Sequence, residues 1–164
     1  MAKNDNVQVA ILMGSNKDID VMNETKRVLD EFGVKSEVMV ISAHRTPDKC
    51  RQFARNAARR GIKVIIAGAG KAAHLAGVIA SYTILPVIGV PLDAGLGGLD
   101  ALLSTVQMPA GVPVATMAIG KSGAINAALL AVAILALENP ELAGKLERFR
   151  KRQAKEVIRN KGVK

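Results

Sequence analysis

Aromatic side chains and cysteine are scarce in this sequence. Only 2% of its 164 residues are aromatic, tryptophan is missing, and Cys50 is the one cysteine. A single cysteine excludes an intramolecular disulfide framework, and two histidines are too few for a Cys/His zinc site. We therefore expect no metal site. Because hydrophobic residues still make up 49% of the chain, we expect a core of aliphatic side chains in closely packed helices and strands.

The sequence also lacks an apolar run long enough to cross a membrane. Its most apolar stretch, residues 124–137, contains Asn126 and falls short of the roughly 20 residues that a membrane helix needs. Residues 3–6 are polar and do not resemble a secretory signal peptide. We therefore predict one cytoplasmic domain spanning residues 1–164, with no membrane partner.

The formal charge of +9 is concentrated near the C-terminus. From residue 145 onward nine basic residues stand against two acidic ones, so the rest of the chain is almost neutral. Phe149 is the one aromatic residue in that region, which gives no stacking platform for single-stranded nucleic acid. We predict a solvated helix and no nucleic-acid partner; nucleic-acid binding by this helix is the non-enzymatic alternative.

Strand-like and helix-like stretches alternate along the chain. Strands are predicted at residues 7–13, 38–41, 63–67, 86–90 and 112–119. Their near-continuous apolar character predicts an α/β fold, a three-layer αβα sandwich of flavodoxin or Rossmann-like type with a central five-stranded parallel sheet. A C-terminal helix at about residues 140–160 carries a thin apolar stripe and is predicted to pack on a neighbouring subunit.

Polar loops follow the first three predicted strands, and ligands bind where parallel strands end. In the first loop Gly14 permits a tight turn, and Ser15 with the backbone N–H groups of a helix N-terminus suits phosphate oxygens. Asp18 suits ribose hydroxyls. Helix capping alone is the other interpretation of Ser15 or Asp18.

The second loop, residues 42–47, places an imidazole beside a guanidinium. Arg45 offers a planar fork for phosphate or carboxylate. His44 can gain and lose a proton near neutral pH. Thr46 and Pro47 are good residues for the start of the helix that follows. A single histidine is more often structural, but its position beside Arg45 favours a catalytic role.

The third loop supports a rival function. Gly68, Gly70 and Ala73 follow the third strand with the spacing of a dinucleotide fingerprint, in a predicted turn that opens a helix over residues 72–81. Asp93 lies about 20 residues further on, as a ribose-binding carboxylate would. A nicotinamide-dependent oxidoreductase is therefore an alternative. His74 is interpreted either as a site residue or as a packed core histidine.

Taken together, these strings resemble the class I N5-carboxyaminoimidazole ribonucleotide mutases of purine biosynthesis, the PurE family. The resemblance covers nearly the whole chain. The matching segments are Met13-Gly14-Ser15 with Asp18, the loop at 42–47, residues 67–70 with 72–75, residues 85–91, and residues 106–109 running into 112–116.

The resemblance implies an isomerase that moves a carboxylate of its ribonucleotide substrate from the exocyclic nitrogen to the imidazole ring carbon. It also implies that the enzyme is a homo-octamer and needs neither a metal nor a cofactor. Ser15 and Arg45 would bind the 5′-phosphate and Asp18 the ribose, while His44 would be the proton shuttle. The imidazole and carboxylate end would be lined by Ser42, Gly70 and His74, and Lys71 is also assigned to substrate binding. A carboxylase using free CO₂ is the nearest alternative.

Three residues depart from the family pattern: Lys17 in place of Ser, Lys71 in place of Gly, and Ala76 in place of Pro. Lys17 and Lys71 add positive charge beside the ligand. Lys71 also stands where the backbone is expected to need a positive φ or a close approach.

Overall fold

A computed structural model describes residues 6–159, so the ends of the chain, including most of the polar N-terminal segment, lie outside the described residues. The strands are β1 (Val9–Met13), β2 (Ser36–Val40), β3 (Val64–Gly70), β4 (Val87–Leu92) and β5 (Ala115–Thr116). The helices are α1 (Ile19–Phe32), α2 (Pro47–Ala57), α3 (Leu75–Ala80), α4 (Leu99–Val106), α5 (Lys121–Ala136) and α6 (Pro140–Arg159). Short 3₁₀ turns precede α1 and follow α2.

The strands form one parallel sheet in the order β2-β1-β3-β4-β5. In the centre, Ile11 of β1 is in register with Val38 of β2 and Ile66 of β3. The predicted five-stranded parallel sheet is therefore confirmed. Because every strand runs the same way, the loops that follow β1, β2 and β3 emerge at one edge.

Helices cover both faces of the sheet, as a three-layer sandwich requires. Val9, Ile11 and Met13 of β1 belong to the hydrophobic cluster that also contains residues of α1, α5 and α6. Ala10 and Leu12 belong to the opposite cluster, with residues of α2 and α3. All five β1 side chains are fully buried, because successive residues of a strand point to opposite faces and here each face has a helical layer.

Small side chains let α5 pack closely on α1, as the composition predicts. Ala124, Ala127, Ala128 and Ala131 recur at helical spacing and are completely buried. The hydroxyl of Thr25 in α1 donates to the carbonyl oxygen of Ala124 at 2.9 Å, in a buried position. This contact satisfies the polar atom of a residue that would otherwise be costly to bury.

All five strands differ by one residue or more from their predicted bounds, and β3 and β5 differ most. β3 does not stop at residue 67 but continues through Gly70, since Ala69 and Gly70 pair with Pro91 and Leu92 of β4. β5 forms only at Ala115–Thr116 instead of residues 112–119. This edge strand pairs with β4 alone, and Pro113 has no N–H to extend the ladder.

The C-terminal helix α6 begins where the sequence predicts and packs on its own chain. The Phe32 and Phe149 rings lie 5.6 Å apart, and the Lys145 ammonium donates to the carbonyl oxygen of Phe32 at 3.1 Å. Residues 150–159 are exposed. The predicted contact of α6 with a neighbouring subunit stays a prediction. Among the helices in residues 6–159, none is long and apolar enough to span a membrane.

Candidate active site

The three polar loops meet at a cavity of about 720 Å³ beyond the C-terminal ends of the strands. Every residue that the sequence assigns to the site lines this cavity. These residues are Ser15, Asp18, Ser42, His44, Arg45, Gly70, Lys71 and His74. A cavity of this size fits a small-molecule ligand.

The first loop positions Ser15 and Asp18 immediately after β1. The Ser15 hydroxyl accepts a hydrogen bond from the Lys17 backbone at 3.2 Å, so Ser15 caps the short 3₁₀ turn of residues 16–18. Partial burial raises the pKa of the Asp18 carboxyl, and a hydrogen bond with the Ser15 backbone and the positive charge of Arg45 only partly offset this effect. Capping and ligand binding are compatible for Ser15, because the capping bond leaves its own O–H free to donate.

The second loop is held by its own hydrogen bonds. The Thr46 hydroxyl donates to the Ser42 carbonyl oxygen and accepts from the Ser42 N–H, both at 3.0 Å. Thr46 does occupy the N-cap position of α2, with Pro47 first in the helix, but its side chain makes no capping bond to α2. Instead of the predicted capping bond, the Thr46 hydroxyl makes two hydrogen bonds with the Ser42 backbone within the loop.

Arg45 links the second loop to the first. Its Nε donates to the Ser42 hydroxyl at 3.3 Å, and one terminal nitrogen donates to the Gly14 carbonyl oxygen at 2.6 Å. The guanidinium has five N–H groups in a rigid fork, so these bonds orient it while leaving donors for a ligand. Arg45 is exposed in the cavity.

The third loop begins and ends at other residues than predicted. Gly70 ends β3, and the helix begins only at Leu75, not at residue 72. A Cβ on Gly70 would lie 2.8 Å from the Ala94 Cβ and 3.0 Å from the Leu92 carbonyl oxygen. Gly70 is therefore required by the approach of the chain after β4, not by a turn.

This geometry argues against the dinucleotide interpretation. Gly68 lies inside β3, where an added Cβ would be 2.3 Å from the Met22 sulfur of α1. The fingerprint needs a glycine turn that leads directly into a helix N-terminus, and four residues separate Gly70 from α3. Asp93 instead lines the same cavity as the other site residues.

The two histidines contact each other across the cavity. His44 Nε2 and His74 Nδ1 are 2.7 Å apart, and the rings meet edge to face with centroids separated by 4.9 Å. One nitrogen donates a proton and the other accepts it. Both residues are exposed in the cavity, so the interpretation of His74 as a core histidine is wrong.

Sequence reasoning missed part of the lining. Asp93 and Ala94 follow β4, and both line the cavity. The sequence did contain a signal, because Asp93 comes shortly after a predicted parallel strand and such strands end at the same edge of the sheet. From the sequence alone, Asp93 is assigned only to the alternative function, a nicotinamide-dependent oxidoreductase. In residues 6–159 no group of three or more His, Cys, Asp or Glu side chains is placed to hold a metal ion.

Known proteins resemble this chain over most of its length. A family model described as AIR carboxylase matches residues 8–156. The N5-carboxyaminoimidazole ribonucleotide mutase of Pyrococcus horikoshii is 55% identical over 156 residues, covering 94% of this chain and 87% of that protein. Its counterpart from Thermotoga maritima, with the same name, is 53% identical over 152 residues, covering 92% and 88%.

A solved structure shares the fold as well. The crystal structure of Treponema denticola PurE superposes with a TM-score of 0.84 at 27% sequence identity, covering 93% of this chain and 95% of that one. The family-model match over residues 8–156 spans the sheet and the three loops that form the cavity. The chain belongs to the AIR carboxylase family.

Proposed function

We propose that this protein is an isomerase, an N5-carboxyaminoimidazole ribonucleotide mutase of purine biosynthesis. The observation that carries the proposal is the 2.7 Å contact between His44 and His74 in the same cavity as Arg45 and Asp18. A proton-transferring group thus stands beside groups suited to a nucleotide. The relatives that are 53% and 55% identical to this chain are both named N5-carboxyaminoimidazole ribonucleotide mutase.

Ser15 and Arg45 bind the 5′-phosphate in this proposal. Arg45 is already oriented by Ser42 and Gly14, and a guanidinium pairs with phosphate oxygens through two parallel hydrogen bonds. Ser15 adds a hydroxyl donor at the start of the 3₁₀ turn. Asp18 accepts hydrogen bonds from the ribose hydroxyls, which lie next to the phosphate in a ribonucleotide.

Ser42, Gly70 and His74 line the imidazole and carboxylate end. Gly70 lies at the cavity wall where β3 meets β4, and its lack of a side chain lets the chain after β4 approach closely enough for Asp93 and Ala94 to form part of the same wall. The contact with His74 fixes the orientation of the His44 ring. Orientation of reacting groups is itself a large part of catalysis.

His44 shuttles one proton during the reaction. Protonated His44 gives its proton to the exocyclic nitrogen as the N–C bond to the carboxylate breaks and CO₂ is released into the cavity. The ring carbon then attacks CO₂ to form the new C–C bond, and neutral His44 removes the proton left on that carbon. The proton balance closes, and positioned acid-base groups of this kind contribute about 10²- to 10⁴-fold.

The name of the family points to the alternative, a carboxylase that takes free CO₂ and aminoimidazole ribonucleotide. Substrate with a ¹³C-labelled carboxylate, given to purified protein in unlabelled bicarbonate without ATP, separates the two. The mutase retains the label in the ring-carboxylated product. Rapid turnover of aminoimidazole ribonucleotide with bicarbonate, and loss of label to solvent, would reassign the protein as the carboxylase.

We further propose that the protein acts in the cytoplasm as a homo-octamer. Leu99, Leu103 and Val106 are half-exposed on one side of α4, and an apolar helix face of this kind is typical of a subunit interface. Sedimentation analysis of the full chain should give eight times the monomer mass of 17.2 kDa. A monomer at micromolar concentration would contradict the octamer.

A further inference from the structure

We propose that Lys71 recognises the carboxylate of the substrate and makes the cavity specific for a ribonucleotide that carries two anionic groups. This inference rests on the proposed function, which defines a ligand with a phosphate at one end and a carboxylate at the other. Three observations support it: the position of Lys71 along the sheet edge, its lack of a partner, and its backbone conformation.

Lys71 lies on the other side of β1 from the loop that carries Arg45. The loop with Arg45 follows β2, and the loop with Ser15 follows β1. β3 and β4 are on the other side of β1 in the sheet, and Lys71 comes directly after β3. A ligand whose phosphate meets Arg45 therefore extends across the strand ends toward Lys71.

The ammonium group of Lys71 is available to a ligand. Its side chain lines the cavity and is exposed, and in the described part of the chain it forms no ion pair. The neighbouring carboxylate, that of Asp93, forms no ion pair with it within the described residues. Gly70 and Leu92 are in register, so Asp93 follows β4 at the same level, but the Asp93 carboxylate accepts the Gly95 N–H at 3.0 Å.

The backbone of Lys71 is unfavourable for lysine. Its φ is +55°, and within residues 6–159 it is the one non-glycine residue with a positive φ. A Cβ disfavours this left-handed conformation, which glycine adopts freely and asparagine tolerates. Since glycine would fit the loop better, the fold does not explain the lysine side chain, and a contact with a bound ligand would explain it.

Three substitutions separate charge from backbone strain. Lys71→Gly removes both, Lys71→Met removes the charge but keeps a long side chain on the strained backbone, and Lys71→Arg keeps both. Calorimetry with two ribonucleotides supplies the readout: 4-carboxy-5-aminoimidazole ribonucleotide has the carboxylate, and aminoimidazole ribonucleotide lacks it. Both have the phosphate.

We expect Lys71→Gly and Lys71→Met to bind the carboxylated ribonucleotide about tenfold more weakly than the wild type. Binding of the uncarboxylated ribonucleotide should change less than about twofold, and Lys71→Arg should bind both as the wild type does. In turnover, Lys71→Gly should raise KM for the N-carboxylated substrate more than it lowers kcat.

Wild-type affinity of Lys71→Gly for both ribonucleotides would overturn this inference alone and leave the proposed function standing. Equal weakening for both ligands would also overturn it, because a displaced loop and not a lost carboxylate contact would then be responsible. A wild-type protein that binds neither ribonucleotide would overturn the proposed function together with the inference.

Discussion

At Asp18, the proposed binding of ribose and the stability of the folded protein oppose each other. The carboxyl is partly buried at the cavity, and this burial raises its pKa above the ordinary value of 3.8 despite the Ser15 backbone and Arg45. The ionised form is thus less favourable in the folded protein than in the unfolded chain. A residue that folding disfavours but a ribose can use is typical of a functional site.

Replacement of Asp18 by Asn should stabilise the ligand-free protein and weaken substrate binding. The stability gain should be present at neutral pH and disappear as the pH falls below 3.8, because Asp18 is then protonated in both the folded and the unfolded state. KM should rise by about tenfold, as expected for loss of a charged acceptor. Thermal unfolding across pH and steady-state kinetics measure the two effects.

A destabilised Asp18→Asn protein, or one with unchanged KM, would contradict this assignment. For the wild type, the sign is the reverse of a salt-bridged aspartate: the stability contribution of this group decreases as the pH rises through its pKa, since the folded state retains the proton longer.

At the scale of elements, local signals predicted the starts of α2 and α6 better than the start of α3 or the ends of the strands. α2 begins at Pro47 and α6 at Pro140, as predicted, and α1 ends before Gly33, whose φ of +75° suits a C-terminal cap. The glycines at 68 and 70 were interpreted as a turn, whereas they belong to β3. Gly68 has to be small because Met22 packs against it, and Gly70 because the chain after β4 approaches it closely. Both are contacts between residues far apart in sequence, which a local sequence pattern does not show.

The helical glycines of α5 and α6 provide a matched pair for the role of close packing. A Cβ on Gly123 would lie 1.6 Å from the Ala118 carbonyl oxygen, whereas on Gly144 it would meet only the flexible end of Arg148 at 3.3 Å. Gly123→Ala should lower the free energy of unfolding by at least about 2 kcal/mol. Gly144→Ala should raise it by about 0.5 to 1 kcal/mol.

Denaturant unfolding of both variants measures this difference. A Gly123→Ala protein as stable as Gly144→Ala would mean that Gly123 does not lie against the Ala118 backbone. Retained activity in Gly144→Ala serves as the control, because α6 contributes no residue to the cavity.

At the scale of the whole molecule, the parallel sheet explains why the site could be predicted at all. Parallel strands end at one edge, so polar loops after β1, β2 and β3 converge although they are far apart in sequence. Asp93 was assigned to another function because its place in the cavity depends on the register of β4. The contact between His44 and His74 depends on the path of the third loop, which sequence spacing does not give.

The direct test of the account is a comparison of binding and turnover for His44→Asn. If three loops hold the ribonucleotide while His44 moves its proton, this variant should bind the substrate with wild-type affinity, because Arg45, Ser15 and Asp18 are unchanged. Its kcat should fall by about 10²- to 10⁴-fold. Full turnover by His44→Asn, or loss of binding without loss of kcat, would contradict the assignment of His44 as the proton shuttle.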